Sequence, residues 1–127
     1  MIMLDKKSVK HLYNKLVEAT GGLYGIRDEA ALESSLSAAF QTFDGADLYP
    51  TTVSKIARVT YCLVKSHPFV DGNKRIGTYV LLVLLELNGI NINFSNEDVI
   101  HIGLGLASGE MDYQQLLEFI LSKTRIN

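Results

Sequence analysis

Apolar residues recur along this chain mostly three and four positions apart, the spacing that gathers side chains on one face of an α-helix. The first such segment runs from about Asp5 to Thr20, with Val9, Leu12, Tyr13, Leu16 and Val17 inward and Gly21-Gly22 as its stop. A second opens at Asp28, whose side chain suits an N-cap. It is expected to carry Ala31, Leu32, Leu36, Ala39, Phe40 and Phe43 inward until the polar stretch DGADLY closes it. Pro50, a favourable first helical residue, starts a third helix whose inner face is Val53, Ile56, Ala57, Thr60, Leu63 and Val64. That helix should stop near Ser66, because His67 precedes Pro68 and a residue before proline is pushed out of the α region.

A fourth helix, from about Asn73 to Asn88, is apolar almost all round and reads as a central helix with neighbours on every side, capped by Gly89. The ININ that follows reads as a short extended piece. Ser95 with Asp98, and Asp112 with Gln115, have the spacing of capping boxes. They open a fifth helix to about Ala107 and a sixth that carries Tyr113, Leu116, Leu117, Ile120 and Leu121, although Gly103 and Gly105 are poor helix formers within the fifth. No repeat, low-complexity tract or linker interrupts the pattern. The expectation is an all-α fold, a single domain over residues 1–127, with about six helices around a central apolar helix at about 73–88.

A chain of 127 residues can bury about two thirds of its unfolded surface without disulfides or structural metal. Its 12 Lys and Arg against 14 Asp and Glu leave a net charge of −2, which argues against a wide basic surface and so against direct nucleic-acid binding. Cys62 is the only cysteine, so there is no disulfide framework or thiolate metal cluster, and its place among apolar residues gives it a packing role. His11 and His101 lack an acidic or histidine neighbour at the spacing of a metal pair. The longest apolar run, Tyr79 to Leu85, is far shorter than the ~20 residues that span a bilayer, and MIMLDKKSVK lacks the order of a signal peptide. A cytoplasmic protein without a membrane role is expected.

One stretch departs from ordinary helix design. In HPFVDGNKR, residues 67–75, a turn opens the fourth helix, and the first turn of that helix holds Lys74 and Arg75. A helix N-terminus already carries roughly half a positive charge and unsatisfied N–H groups, so carboxylates are the usual residues there. Asp71-Gly72-Asn73 is turn chemistry whose successive N–H groups can form an anion-binding nest. With Lys74 and Arg75 added, the donors converge as in a phosphate site. Asp71 is then suited to Mg²⁺, which shares oxygen ligands with substrate phosphates, and His67 to taking a proton from an attacking hydroxyl. Arg27, after GGLYGI, is a candidate contact to a ligand or target, or a solvent-facing residue. A non-catalytic phosphate- or partner-binding module would need neither His67 nor Asp71 beside the nest.

HPFVDGNKR resembles the signature of Fic/Doc proteins, roughly H-x-F-x-[DEN]-[AG]-N-[GK]-R, and Lys74 is similar to the death-on-curing (Doc) toxins of toxin–antitoxin modules. The likeness extends through GIRDEAALESSL, DLYPTTVSKIARVTY, LELNGINI and LASGEMD. It implies an all-helical core in which His67 is the base, Phe69 anchors the loop, Asp71 binds Mg²⁺, and Gly72, Asn73, Lys74 and Arg75 form the phosphate and ATP site. Fic branches mostly carry Gly at the position of Lys74 and transfer AMP to a protein hydroxyl. Doc carries Lys and is understood to bind ATP reversed, passing its γ-phosphate to elongation factor Tu. Glycine lets a polyphosphate lie against the backbone, whereas a lysine fills that path and offers a point charge.

The resemblance therefore implies a Mg-ATP-dependent Ser/Thr kinase toxin that arrests translation, with AMP transfer as the alternative. Gly72 is the Fic-like choice where Doc has alanine, and Thr78 stands where AMP-transferring members commonly have a second arginine. The inhibitory [ST]-x-x-x-E-[GN] motif of many Fic proteins has no match in these residues. A cognate antitoxin acting in trans is expected, seated in a groove beside the His67 loop with the segment from Gly22 to Arg27 as a wall.

Overall fold

The structure, a computed structural model, describes residues 1–124. It has six α-helices in the expected order: α1 (Lys6–Thr20), α2 (Glu29–Ser37), α3 (Thr52–Ser66), α4 (Asn73–Leu87), α5 (Asn96–Ser108) and α6 (Tyr113–Lys123). The all-α reading holds. Each start follows its local chemistry. Asp5 and Asp28 accept from the N–H of Ser8 and Ala31 at the heads of α1 and α2, and reciprocal capping boxes close α5 (Ser95 with Asp98) and α6 (Asp112 with Gln115). No helix of the described residues is long and apolar enough to cross a membrane.

Two boundaries differ from expectation. α3 begins at Thr52 rather than Pro50, because Thr51 and Ser54 form a reciprocal capping box, with Oγ1 of Thr51 accepting from Ser54 N and Oγ of Ser54 from Thr51 N. α2 ends at Ser37, and a 3-10 turn, Ala38–Phe40, leads into a hairpin in which β1 (Thr42–Phe43) pairs antiparallel with β2 (Ala46–Asp47). Asp44 and Gly45 both take positive φ at its tip, the Asp-Gly turn that matches strand twist. Phe40 and Phe43 are therefore not core residues but are 49% and 74% exposed.

The centre of the bundle is shared. α3 packs against α2, α4, α5 and α6, while α4 packs against α1, α3 and α5 and leaves Tyr79, Leu82 and Leu87 on an exposed stripe. The glycines of α5 mark close approaches rather than helix ends. A Cβ on Gly103 would lie 2.8 Å from Lys74 Cγ, and one on Gly105 would lie 3.0 Å from Met111 Cβ. Ile92 of the ININ segment bridges to Thr124, tying the chain after α4 to the end of α6.

The tightest packing joins α3 to α4. A Cβ on Gly77 would fall 2.5 Å from Val64 Cγ2, and Val64 is 1% exposed and β-branched, with no room to turn away. Gly77→Ala should force the helices apart and destabilise the fold by about 1–3 kcal/mol. Denaturant unfolding measures this directly; a variant as stable as the parent would show that the contact does not set the helix spacing.

Candidate functional site

The loop between α3 and α4 is built around His67. This residue ends α3 in the left-handed conformation (φ 49, ψ 58) and, with Asp44, is one of two non-glycine residues at positive φ among the described residues. Such a conformation costs of order 1–3 kcal/mol and persists only where surrounding contacts fix it. Arg27 supplies two of those contacts, Nε donating to the His67 carbonyl at 2.7 Å and a terminal guanidinium nitrogen to the Ser66 carbonyl at 2.9 Å. The imidazole is held from the other side, its Nδ1 3.4 Å from the amide nitrogen of Asn73. A donor at that position leaves Nδ1 as the unprotonated nitrogen of the neutral ring.

Beyond His67 the loop is stapled on both faces. Asn73 is 8% exposed, and its side-chain amide accepts from Phe69 N at 2.9 Å and donates to Phe69 O at 3.0 Å. Phe69, 1% exposed, stacks on Tyr13 with ring centroids 3.9 Å apart. The Tyr13 hydroxyl lies 2.8 Å from the Asp71 carbonyl and 3.1 Å from that of Leu23, and burial pushes its pKa above the ordinary tyrosine value. The segment before α2 runs antiparallel alongside: Arg27 N and Asp28 N donate to Pro68 O, and Val70 N donates to Gly25 O.

The cations meet the start of α4. Gly72, at φ 80, is its N-cap and offers no side-chain acceptor; among the described residues the N–H groups of Asn73, Lys74 and Arg75 have no partner. Arg75 turns toward α1, one terminal nitrogen 2.6 Å from Thr20 Oγ1 and the other 4.0 Å from Asp71 Oδ2. Lys74 turns toward α5, its stem against Gly103, and makes no ion pair with the described residues. Asp71 Oδ1 accepts from Gly72 N at 2.9 Å and Oδ2 from Leu23 N at 3.3 Å.

His67, Asp71, Gly72, Asn73, Lys74 and Arg75 thus line one cleft of about 370 Å³, closed on the far side by Val64 and Ala107. Phe69 and Arg27 do not line the cleft. Asn73, expected among the phosphate ligands, has its side-chain amide engaged by Phe69; only its backbone N–H is free. Asp71 is the one carboxylate on the cleft, and among the described residues no three His, Cys, Asp or Glu groups gather to hold a metal. This donor set suits a hard cation that shares its ligands with phosphate oxygens and does not suit a transition metal. Cys62 lies apart, in the space between α2 and α3, its thiol pKa pushed up by burial.

Three contributors were not legible as such in the sequence. Tyr13 reads as one more apolar-face residue of α1, and Gly22 as part of a helix stop. Yet a Cβ on Gly22, at φ 109, would sit 2.8 Å from Asp71 Oδ2 and 3.3 Å from an Arg75 nitrogen. Gly103 reads as a blemish in α5, whereas it is the notch that receives Lys74. A doubled glycine and a mid-helix glycine are weak signals of close approach, and only the fold identifies what approaches.

The helical bundle brings a histidine, a carboxylate and two cations together around a helix N-terminus. The Fic/DOC family model matches residues 3–85, from before α1 nearly to the end of α4, and the chain belongs to that family. None of the curated proteins matches it. Members of the family generally transfer nucleotide phosphate groups to proteins, using ATP with Mg²⁺.

If the Asn73 amide acts within the loop, its loss should register with no nucleotide present. Asn73→Ala leaves the buried N–H and C=O of Phe69 unpaired and should cost about 1–3 kcal/mol of stability. Thermal unfolding of the ligand-free protein decides: an unchanged midpoint would mean that the amide serves only a ligand.

Proposed function

We propose that this protein is a Doc-type kinase, transferring the γ-phosphate of ATP to a Ser or Thr hydroxyl of a translation protein, elongation factor Tu by resemblance, and acting as a cytoplasmic toxin restrained by an antitoxin. Lys74 carries the reading. Its stem lies in the Gly103 notch, it makes no ion pair with the described residues, and it lines the cleft beside His67. In that position it fills the path along which a glycine would let the polyphosphate of an AMP-transferring enzyme run, and it offers its charge to a terminal phosphate. Thr78 supports the same direction. Its hydroxyl donates to the carbonyls of Lys74 and Arg75 and it is 8% exposed, so no second guanidinium reaches the cleft from that position.

Under this reading the backbone N–H groups at the start of α4, with Lys74 and Arg75, hold the phosphates. Asp71 holds Mg²⁺, which when bound neutralises phosphate charge and fixes the phosphate oxygens. His67, on the edge of the cleft, accepts the target hydroxyl's proton as it attacks phosphorus. Exposed Leu23, Tyr24, Ile26 and Val70 flank this edge and supply an apolar wall for a protein partner.

Incubation with Mg²⁺, ATP and a bacterial extract, followed by intact-mass analysis, should show a target that gains a phosphate group. Gly72, the residue that AMP-transferring branches share, makes an AMP adduct the competing outcome, and finding it would overturn the kinase reading. His67→Ala should lower transfer about 10²–10⁴-fold with nucleotide affinity nearly unchanged, whereas Asp71→Ala and Arg75→Ala should weaken Mg·ATP binding. Equal loss of affinity in all three variants would contradict the division of roles.

The toxin assignment has its own test in cells. Expression of the chain alone should stop growth and coexpression of the antitoxin encoded beside it should restore growth. Harmless expression of the active protein without an antitoxin would refute it.

A further inference from the structure

We infer that Arg27 is a positioning residue that locks His67 into its reactive geometry by clamping three consecutive carbonyls. Its guanidinium donates to the Ser66 and His67 oxygens at 2.9 and 2.7 Å, and its own backbone N–H donates to the Pro68 oxygen at 2.8 Å. One residue therefore satisfies the carbonyls on both sides of the His67–Pro68 bond and the last carbonyl of α3. Those last carbonyls have no intrahelical donor, and the negative end of the helix dipole favours a cation there.

A purely structural helix cap would need only one of these contacts and no particular residue after it. Here the capped residue is the strained one: His67 holds φ 49 without being glycine, and the residue that follows is a proline that forbids return to the helical region. The clamp acts on the backbone of His67 while Asn73 acts on its ring, so the imidazole is fixed from two independent directions. Arg27 is not among the residues that line the cleft; its guanidinium is spent on the Ser66 and His67 carbonyls. Its effect on transfer must then pass through His67. A fork of two N–H groups in one plane matches two neighbouring carbonyls; a lysine offers a single point donor and reproduces the clamp only in part.

This inference rests on His67 being the base, and its test separates the two ideas. Arg27→Ala should lower kcat about 10–100-fold, the scale of a misplaced catalytic group, with KM for Mg·ATP within about twofold of the parent. Arg27→Lys should fall between the two and, keeping the charge at the helix end, serves where Arg27→Ala folds poorly. In a His67→Ala background, Arg27→Ala should remove nothing further. NMR of the ligand-free protein supplies a readout that needs no activity: the ring resonances and amide of His67 should shift in Arg27→Ala, with faster amide exchange at Phe69 and Val70. Unshifted His67 resonances, or a full additional loss of transfer in the His67→Ala background, would overturn the inference. A rise in nucleotide KM matching that of Arg75→Ala would do the same, placing Arg27 on the ligand. A protein that transfers nothing yet shows the resonance shifts would remove the kinase reading and leave the clamp standing.

Discussion

The close contact of Gly77 with Val64 sets the geometry on which the cleft depends. With a missing Cβ on one side and a fully buried valine on the other, α3 and α4 meet one turn inside the loop that joins them. The six residues from His67 to Gly72 must therefore span a fixed gap, and their conformation is not free to relax. The left-handed His67 and Gly72 at the two ends of the loop are the consequence: each turns the chain sharply where a helix has just ended or is about to begin. Core packing, in this protein, is what determines where the chemistry sits.

A loop under that constraint needs its polar backbone satisfied where it is buried, at Pro68 and Phe69. Many of its groups are paired with a side chain or with the segment before α2: Phe69 with Asn73, the Ser66 and His67 carbonyls with Arg27, the Pro68 carbonyl with Arg27 and Asp28, the Asp71 carbonyl with Tyr13, and the Val70 N–H with Gly25. At the start of α4, among the described residues, the N–H groups of Asn73, Lys74 and Arg75 have no partner and lie beside two cations. The pattern is a division between donors used to hold the loop and donors left for an anion. Asn73 straddles it, with its side chain in the first group and its backbone in the second.

Much of this was legible in the sequence, for identifiable reasons. Helix starts written in side-chain chemistry, such as Ser95 with Asp98 and Asp112 with Gln115, were readable because a cap is a local interaction. The cleft residues were readable because two cations at a helix N-terminus contradict the usual electrostatics and so demand an explanation. What stayed hidden were relations between distant segments. Phe40 and Phe43 continue the helical spacing of α2, yet Asp44-Gly45 is a stronger hairpin signal than the periodicity it interrupts. Arg27 precedes a helix cap in sequence and looks like a free cation; its role appears only when the chain folds it behind a carbonyl cluster 39 and 40 residues away. Glycines 22, 77 and 103 carry information only through what they allow to come near.

The wall against which Lys74 packs is built outside the part of the chain that the family model matches. That match ends at residue 85, before α5, whereas the Lys74 stem lies against Gly103 and the cleft closes on Ala107. The loop and the start of α4 bring His67, Asp71, Lys74 and Arg75 to one cleft. The direction in which Lys74 points is set by a helix that the shared segment does not include. A glycine in place of Lys74 would leave the Gly103 notch empty and the cleft open toward α5, and a side chain in place of Gly103 would push the lysine across the cleft. The direction of Lys74 therefore depends on a pair of residues 29 positions apart, one a cation and the other defined by having no side chain at all.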